Sequence, residues 1–361
     1  MRPPRRSHGV DGREVVVVTL ALIACASVAR SIVFGAVARA GTTTRAPSDD
    51  GRFDAAFFAR DRAMCATHAS DGTWRFGAEA CEPGAWALAS AGCDDGAARR
   101  AFGWGTAARG RKKGSAPMDW VVRSDVGEIC GFGPLRSTTE SERVRRLIRG
   151  RRVAFVGDSV ARGAYAAFVR ATSEPWVDVS LKTDDGEKHR DWTHNLVADG
   201  RATFTWAPYA ENAAAALDSS GLSADLIVVS SALWHILHDD SVSTYRNQMK
   251  ILGERVREIA NARPDVVFVW LDAPHVVASK LVAEDKRRKF TKDNLAKYAA
   301  IQNDQKSTKL VQPAGAFVRA RVTGITEACG DACSVDGVHS VEVVYDVVAQ
   351  IVLNLCRARW R

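Results

Sequence analysis

Ser159 sits in the run Phe155-Val156-Gly157-Asp158-Ser159-Val160-Ala161-Arg162, where an apolar strand pattern gives way to a helical one. A serine at that junction stands above the carboxyl ends of the strands of an open α/β sheet, beside the backbone N–H groups that begin a helix. Its hydroxyl can attack an acyl carbon, and its own N–H is available to the oxyanion that results. Gly157 permits the tight turn. A hydroxyl is a weak nucleophile until a base takes its proton, and 180 residues downstream Ser334-Val335-Asp336-Gly337-Val338-His339-Ser340 offers one. His339 supplies the imidazole, and Asp336, three residues earlier, a carboxylate to hold the second ring nitrogen. Each block alone has an ordinary structural reading: Asp158 or Ser159 caps a helix, and Asp-x-x-His closes a turn. Together, in this order and in an α/β chain, they point to acyl transfer through a serine.

Both blocks need a scaffold, and residues 146–361 predict it. Arg152–Val156, Leu226–Ser230 and Val266–Leu271 read as buried strands. Helices fit about 160–171, 241–261, Thr291–Gln305 and Val341–Cys356, the last with Val344, Val347, Val348, Ile351, Val352 and Leu355 at helical spacing. Strands alternating with amphipathic helices predict a parallel sheet covered on both faces. Upstream, residues 61–145 hold Cys65, Cys81, Cys93 and Cys130, the tryptophans Trp74, Trp86, Trp104 and Trp120, and many glycines, without a long periodic segment. This predicts an irregular, disulfide-stapled lobe with a Gly/Arg/Lys-rich loop at Gly103–Ser115.

The N-terminus sets the compartment. Residues 15–29 are an uncharged apolar run behind Arg2, Arg5, Arg6 and Arg13, and a second apolar run follows Arg30. Together they are long enough to span a bilayer, which needs about 20 residues. This predicts a cytoplasmic tail over 1–14, a signal-anchor over 15–38 and a stem over 39–60, although small-x-small sites such as Ala38-Arg39-Ala40 also permit cleavage. The expected protein is single-pass and type II, in the secretory pathway at the Golgi membrane, with a lumenal catalytic part. With Cys25 in the anchor, Cys65, Cys81, Cys93, Cys130, Cys329, Cys333 and Cys356 meet an oxidising lumen, and their odd number leaves at least one without an intramolecular partner. The net charge of +8 is scattered and lacks interleaved aromatics, so nucleic acid is not expected as a partner.

The sequence resembles the PC-esterase branch of the SGNH/GDSL hydrolase superfamily, which includes the trichome birefringence-like polysaccharide O-acetyltransferases and the lumenal domains of sialic-acid O-acetyltransferases. The resemblance rests on Gly157-Asp158-Ser159, on Asp336-Gly337-Val338-His339, on Gly72-Thr73-Trp74-Arg75 with Cys81, and on Phe204-Thr205-Trp206-Ala207-Pro208. It implies a flavodoxin-like three-layer sandwich, an acyl-serine intermediate and transfer to a sugar hydroxyl. No resident cofactor or metal is expected; the co-substrate is an acetyl donor, either acetyl-CoA or an acylated intermediate, and the acceptor a glycan or polysaccharide. The sialic-acid enzymes carry a multi-span membrane region after this domain, so a separate multi-span acetyl-transfer protein is an expected partner here. The family's third block supplies an asparagine to the oxyanion hole; this chain has Ser231-Ala232-Leu233-Trp234-His235, which leaves Ser231 or the local backbone for that role, beside Gly157 and Asp158.

Further residues have two readings each. Arg162, one helical turn beyond Ser159, either binds an anionic group or braces Asp158. Trp206 and Trp234 form a sugar-stacking platform or pack in the core. His275, after the strand ending at Leu271, lines the acceptor cleft or sits in a loop. His235 and His238 with Asp239 and Asp240 have the look of a metal half-site, but histidines three apart after a strand read more simply as loop residues. Water as acceptor would make the same triad a carbohydrate esterase, and a non-catalytic glycan-binding or scaffold protein is the reading from another class.

Overall fold

In a computed structural model of the chain, six strands form the main sheet: β4 (Arg152–Gly157), β5 (Trp192–Asn195), β6 (Arg201–Trp206), β7 (Leu226–Ser230), β8 (Val267–Leu271) and β9 (Val318–Ala320). The structure describes residues 64–76, 87–91, 118–122, 130, 141–173, 189–220, 223–239 and 241–360. All of them belong to one compact unit, Ala56–Arg361. The tail 1–14, the anchor 15–38, the stem 39–60, the loop 103–115, Cys81, Cys93, Trp86, Trp104 and Asp240 lie outside the described residues, among which no helix is long and apolar enough to cross a membrane.

The strands lie in the order β5-β6-β4-β7-β8-β9. All neighbours pair in parallel except β5, which runs antiparallel to β6. Counted along the chain, the five parallel strands sit second, first, third, fourth, fifth, the flavodoxin-like order, whose crevice opens where the path reverses beside the first strand. That strand is β4, which ends at Gly157 just before Ser159. The antiparallel edge was not expected from the sequence. Trp192–Asn195 alternates between half-buried and exposed residues, and five residues, 196–200, turn the chain back into β6. A return that short makes a hairpin and leaves no room for a crossover helix.

Right-handed crossovers place α2 (Ser159–Thr172) and α3 (Ala210–Ser220) on opposite faces, because the chain changes direction between β6 and β7. α9 (Glu342–Arg359) packs on α2, and α5 (Val242–Ala262) packs on α3 and on α7 (Lys292–Gln302). β7 and β8 are buried along their whole length, as expected for strands covered on both faces. The remaining helices are α1 (Ser141–Ile148), which precedes β4, and the short α4 (Leu233–His238), α6 (Glu284–Lys289) and α8 (Val322–Glu327).

The upstream region is more regular than its composition suggested. β1 (Thr73–Phe76), β2 (Ala87–Ala91) and β3 (Met118–Val121) form an antiparallel sheet in the order β1-β3-β2. It is held to the main domain by Trp74 and Trp120, buried and edge-on at 5.1 Å. Trp74 donates to the Ile325 carbonyl of α8, and Trp120 to Ala69 in the helical residues 64–70. A Cβ on Gly72 would meet the Trp120 ring at 2.7 Å, so the Gly-x-Trp pattern is a packing requirement. Cys65 is bonded to Cys130 and Cys329 to Cys333, while Cys356 is a free thiol buried on α9.

Candidate active site

Gly157 ends β4 with φ +145°, and a Cβ there would lie 2.2 Å from the Ser230 carbonyl, so only glycine lets the chain turn so close to β7. Asp158 follows, 1% exposed, as the N-cap of α2. Its Oδ1 accepts from Val160 N–H at 2.9 Å and from the Ser230 hydroxyl at 2.7 Å. Ser230 Oγ in turn accepts from Ala161 N–H at 3.1 Å. Burial raises the Asp158 carboxyl above its ordinary value, against the pull of the Ser230 and Val160 hydrogen bonds. Two of the first N–H groups of α2 are therefore occupied by this knot. The Ser159 N–H, by contrast, has no acceptor among the described residues and is free for an oxyanion.

The second loop comes to Ser159 from the far end of the chain. Asp336 Oδ1 accepts from Val338 N–H at 3.0 Å and His339 N–H at 2.8 Å, which leaves Oδ2 for His339 Nδ1, at 2.8 Å. His339 Nε2 lies 3.1 Å from Ser159 Oγ. Partial burial works to raise the Asp336 carboxyl, but the His339 backbone N–H, its ring and the Val338 N–H outweigh it and hold the group down to about 2. A carboxylate ionised this firmly fixes the proton on Nδ1 and leaves Nε2 as the lone pair facing the hydroxyl. Gly337 turns with φ +91°, where a Cβ would approach the Val277 carbonyl at 2.8 Å. Lys280 Nζ donates to the carbonyls of Asp331 and Ser334, and Val277 N–H to that of Gly337, so the loop after β8 holds this one.

The other expected residues divide. Trp206 ends β6 beside Gly157, and the Arg162 guanidinium lies over its ring at 5.7 Å. Burial lowers Arg162 from its ordinary value, while Tyr345 and Asp158 act in the other direction. Trp206 stacks on His189 at 4.3 Å and meets Trp234 edge-on at 5.5 Å. Trp234 also touches Tyr209 and His238, so both tryptophans belong to one half-buried aromatic cluster at the nucleophile's edge of the sheet. Ser231 does not join Ser159: its hydroxyl turns to the Pro208 carbonyl, because the next residue begins the turn into α4. It is Ser230 that reaches the nucleophile turn, a role the sequence reading missed; the inward face of the last residue of a buried strand was the available signal. His275 lines a separate cavity of about 540 Å³, to which no triad residue contributes. His235 is fully buried, and its Nε2 accepts from Ala210 N–H at 3.0 Å, which spends the lone pair that a metal would need. Among the described residues no His, Cys, Asp and Glu cluster could hold a metal ion.

No family model matches the chain. It is similar to Protein ALTERED XYLOGLUCAN 9 of Arabidopsis thaliana, 24% identical over 272 residues that make up 68% of this chain and 71% of that protein. It is also 24% identical over 257 residues to the N-acetylneuraminate (7)9-O-acetyltransferase of Danio rerio, covering 66% of this chain and 30% of that enzyme. Both relatives support the resemblance of this chain to the PC-esterase branch of the SGNH superfamily. A solved peptidoglycan O-acetylesterase overlaps 60% of this chain with 10% identity and a TM-score of 0.35, a likeness too loose to bear on the fold. The Gly157-Asp158-Ser159 and Asp336-Gly337-Val338-His339 blocks, on which the sequence resemblance rests, are the two loops that meet over β4.

Proposed function

We propose that the protein is an O-acyltransferase acting on a carbohydrate hydroxyl through an acylated Ser159. His339 Nε2 takes the hydroxyl proton as Ser159 Oγ bonds to the acyl carbon, and returns it to the departing group as that bond breaks. An acceptor hydroxyl, deprotonated by the same nitrogen, then attacks the acyl-serine and regenerates the free hydroxyl. The Ser159 N–H faces the oxyanion in both halves. The observation that carries this reading is the unbroken relay of 3.1 Å and 2.8 Å from Ser159 to Asp336. The sugar-directed part draws on the relatives' names and on the Trp206 and Trp234 rings beside the nucleophile. Two disulfides favour an oxidising compartment, consistent with a lumenal catalytic part behind an anchor at 15–38.

A second reading, ester hydrolysis, draws on exposure: the His339 and Asp336 side chains are 41% and 40% exposed, so water can reach the base. Product analysis separates the two. Incubation with an acetyl donor and a glycan panel should give acetylated sugar; free acetate with no acylated glycan would leave hydrolysis as the activity. Acetylation that persists in both Ser159→Ala and His339→Ala proteins would remove the serine mechanism itself.

A further inference from the structure

The carboxyl edge of the sheet carries two different surfaces on either side of β4 and β7. Toward β6 lie the Trp206 and Trp234 rings with Arg162. Toward β8 lies the cavity of about 540 Å³, within the size range of organic-ligand sites and apolar over most of its wall. Ile236, Ala273, Phe290, Leu295 and Ala299 are among its apolar lining residues. Arg319, also in the wall, is neutralised by Asp272 at 2.7 Å. Arg287 and Lys292, exposed on α6 and α7, bring two positive charges to the cavity.

The cavity shares no residue with the triad, but the two are built on adjoining residues of the same segments. Val276 and Ala278 line it while Val277, between them, holds Gly337 of the acid–base loop. Lys286, next to Arg287, lies 4.0 Å from Asp336. Ala232, another lining residue, is two positions past Ser230, which bonds Asp158.

We propose that this cavity is the binding site for the carrier portion of the acyl donor, an apolar arm that enters between α6 and α7 with phosphates held by Arg287 and Lys292. The assignment rests on the acyl-transfer reading above and adds where the donor sits and what it must look like. A ping-pong reaction has two substrates of different shape: a cluster of aromatic rings suits a sugar, and a half-open apolar cavity with Arg287 and Lys292 against the single exposed carboxylate of Glu327 suits a different molecule. In the first half-reaction Ser159 Oγ attacks the acyl carbon of a thioester, the carbon–sulfur bond breaks, and the proton held on His339 Nε2 goes to the thiolate. The carrier leaves the cavity as a free thiol.

Calorimetric titration of the full chain with coenzyme A tests the site without needing turnover. One carrier should bind per chain. Ala299→Trp, which fills the cavity, should weaken binding at least tenfold, and so should the double variant Arg287→Ala/Lys292→Ala of two exposed residues, with a thermal melt to check that losing the Arg287 bond to the Leu281 carbonyl leaves the fold intact. No binding to the wild-type chain, or equal affinity in both variants, overturns the proposal. Hydrolysis of 4-nitrophenyl acetate, a donor without a carrier, reports on the triad separately: its absence, or its persistence in Ser159→Ala, would defeat the serine mechanism while coenzyme A binding still decided the cavity.

Discussion

The two loops that meet at Ser159 are held by different forces. The nucleophile turn is fixed by burial and crowding: Asp158 is 1% and Ser159 9% exposed, and Gly157 is pressed against the Ser230 carbonyl. The acid–base loop buries Gly337 and Val338 but leaves the Asp336 and His339 side chains about two-fifths exposed, and those two side chains are positioned by hydrogen bonds, to Asp336 itself and from Lys280 and Val277 to the loop carbonyls. A nucleophile must be placed to within fractions of an ångström against its oxyanion donor, so it gains from a rigid, dry mount. The base must exchange its proton with leaving group and acceptor, so it needs access. Changes to the buried mount of the first loop, Gly157 and Ser230, should therefore cost stability, and changes to the exposed contacts of the second should cost activity with stability kept.

The sharpest break of that contrast removes the chemistry alone. Ser159→Ala should lower ester turnover by about 10³-fold or more with the melting temperature unchanged, and Asp336→Asn, which loses the tautomer control, by a similar order; thermal melts run beside the assays would expose a mere folding defect. Gly157→Ala combines an unfavourable φ with a 2.2 Å contact and should destabilise by about 3 kcal/mol or more, read as a lowered urea midpoint. Ser230→Ala strips a buried carboxyl of its donor and Ala161 N–H of its acceptor, at about 1–3 kcal/mol. Lys280→Met should slow turnover several-fold while leaving stability within about 0.5 kcal/mol. A large stability loss in Lys280→Met, or none in Gly157→Ala, would undo the distinction between the loops.

Acid sharpens it further. Burial holds His235 at about 4, below the ordinary 6.5, so the unfolded chain takes up a proton that the fold excludes. Stability is complete above that ordinary value and declines as the pH falls toward 4, by up to about 3 kcal/mol. The Asp336 contribution has the opposite origin, a depressed carboxyl, and is lost only between about 3.8 and 2. Urea midpoints measured from pH 7 to pH 4 should therefore fall in the native chain, and fall less in His235→Gln.

How much of this could be read in advance differs by region. The strand β4, the helix α2 and the long apolar face of α9 were legible because a buried strand or helix writes its period into the sequence. Helices α5 and α7 also stand close to the expected bounds, although α7 ends at Gln302 rather than 305, where Asn303 closes it. The β1-β3-β2 sheet was not legible: its strands have four or five residues, too few for alternation to stand out, and its glycine and tryptophan serve contacts with α8 and the helical residues 64–70. The Ser230 bond to Asp158 was not legible because adjacent strand residues point to opposite faces and a one-dimensional reading could not say which faced the turn.

The sequence by itself determined the chemical cast, since a serine, an aspartate and a histidine in two spaced blocks are covalent facts, and the periodicity around them marks strand and helix. Only the tertiary structure decided that the blocks meet at 3.1 Å, that Ser230 and not Ser231 supports the nucleophile turn, and that His275 faces a separate apolar cavity. Those relations depend on strand order and on which face each side chain takes, and both are set by long-range packing that no local pattern encodes.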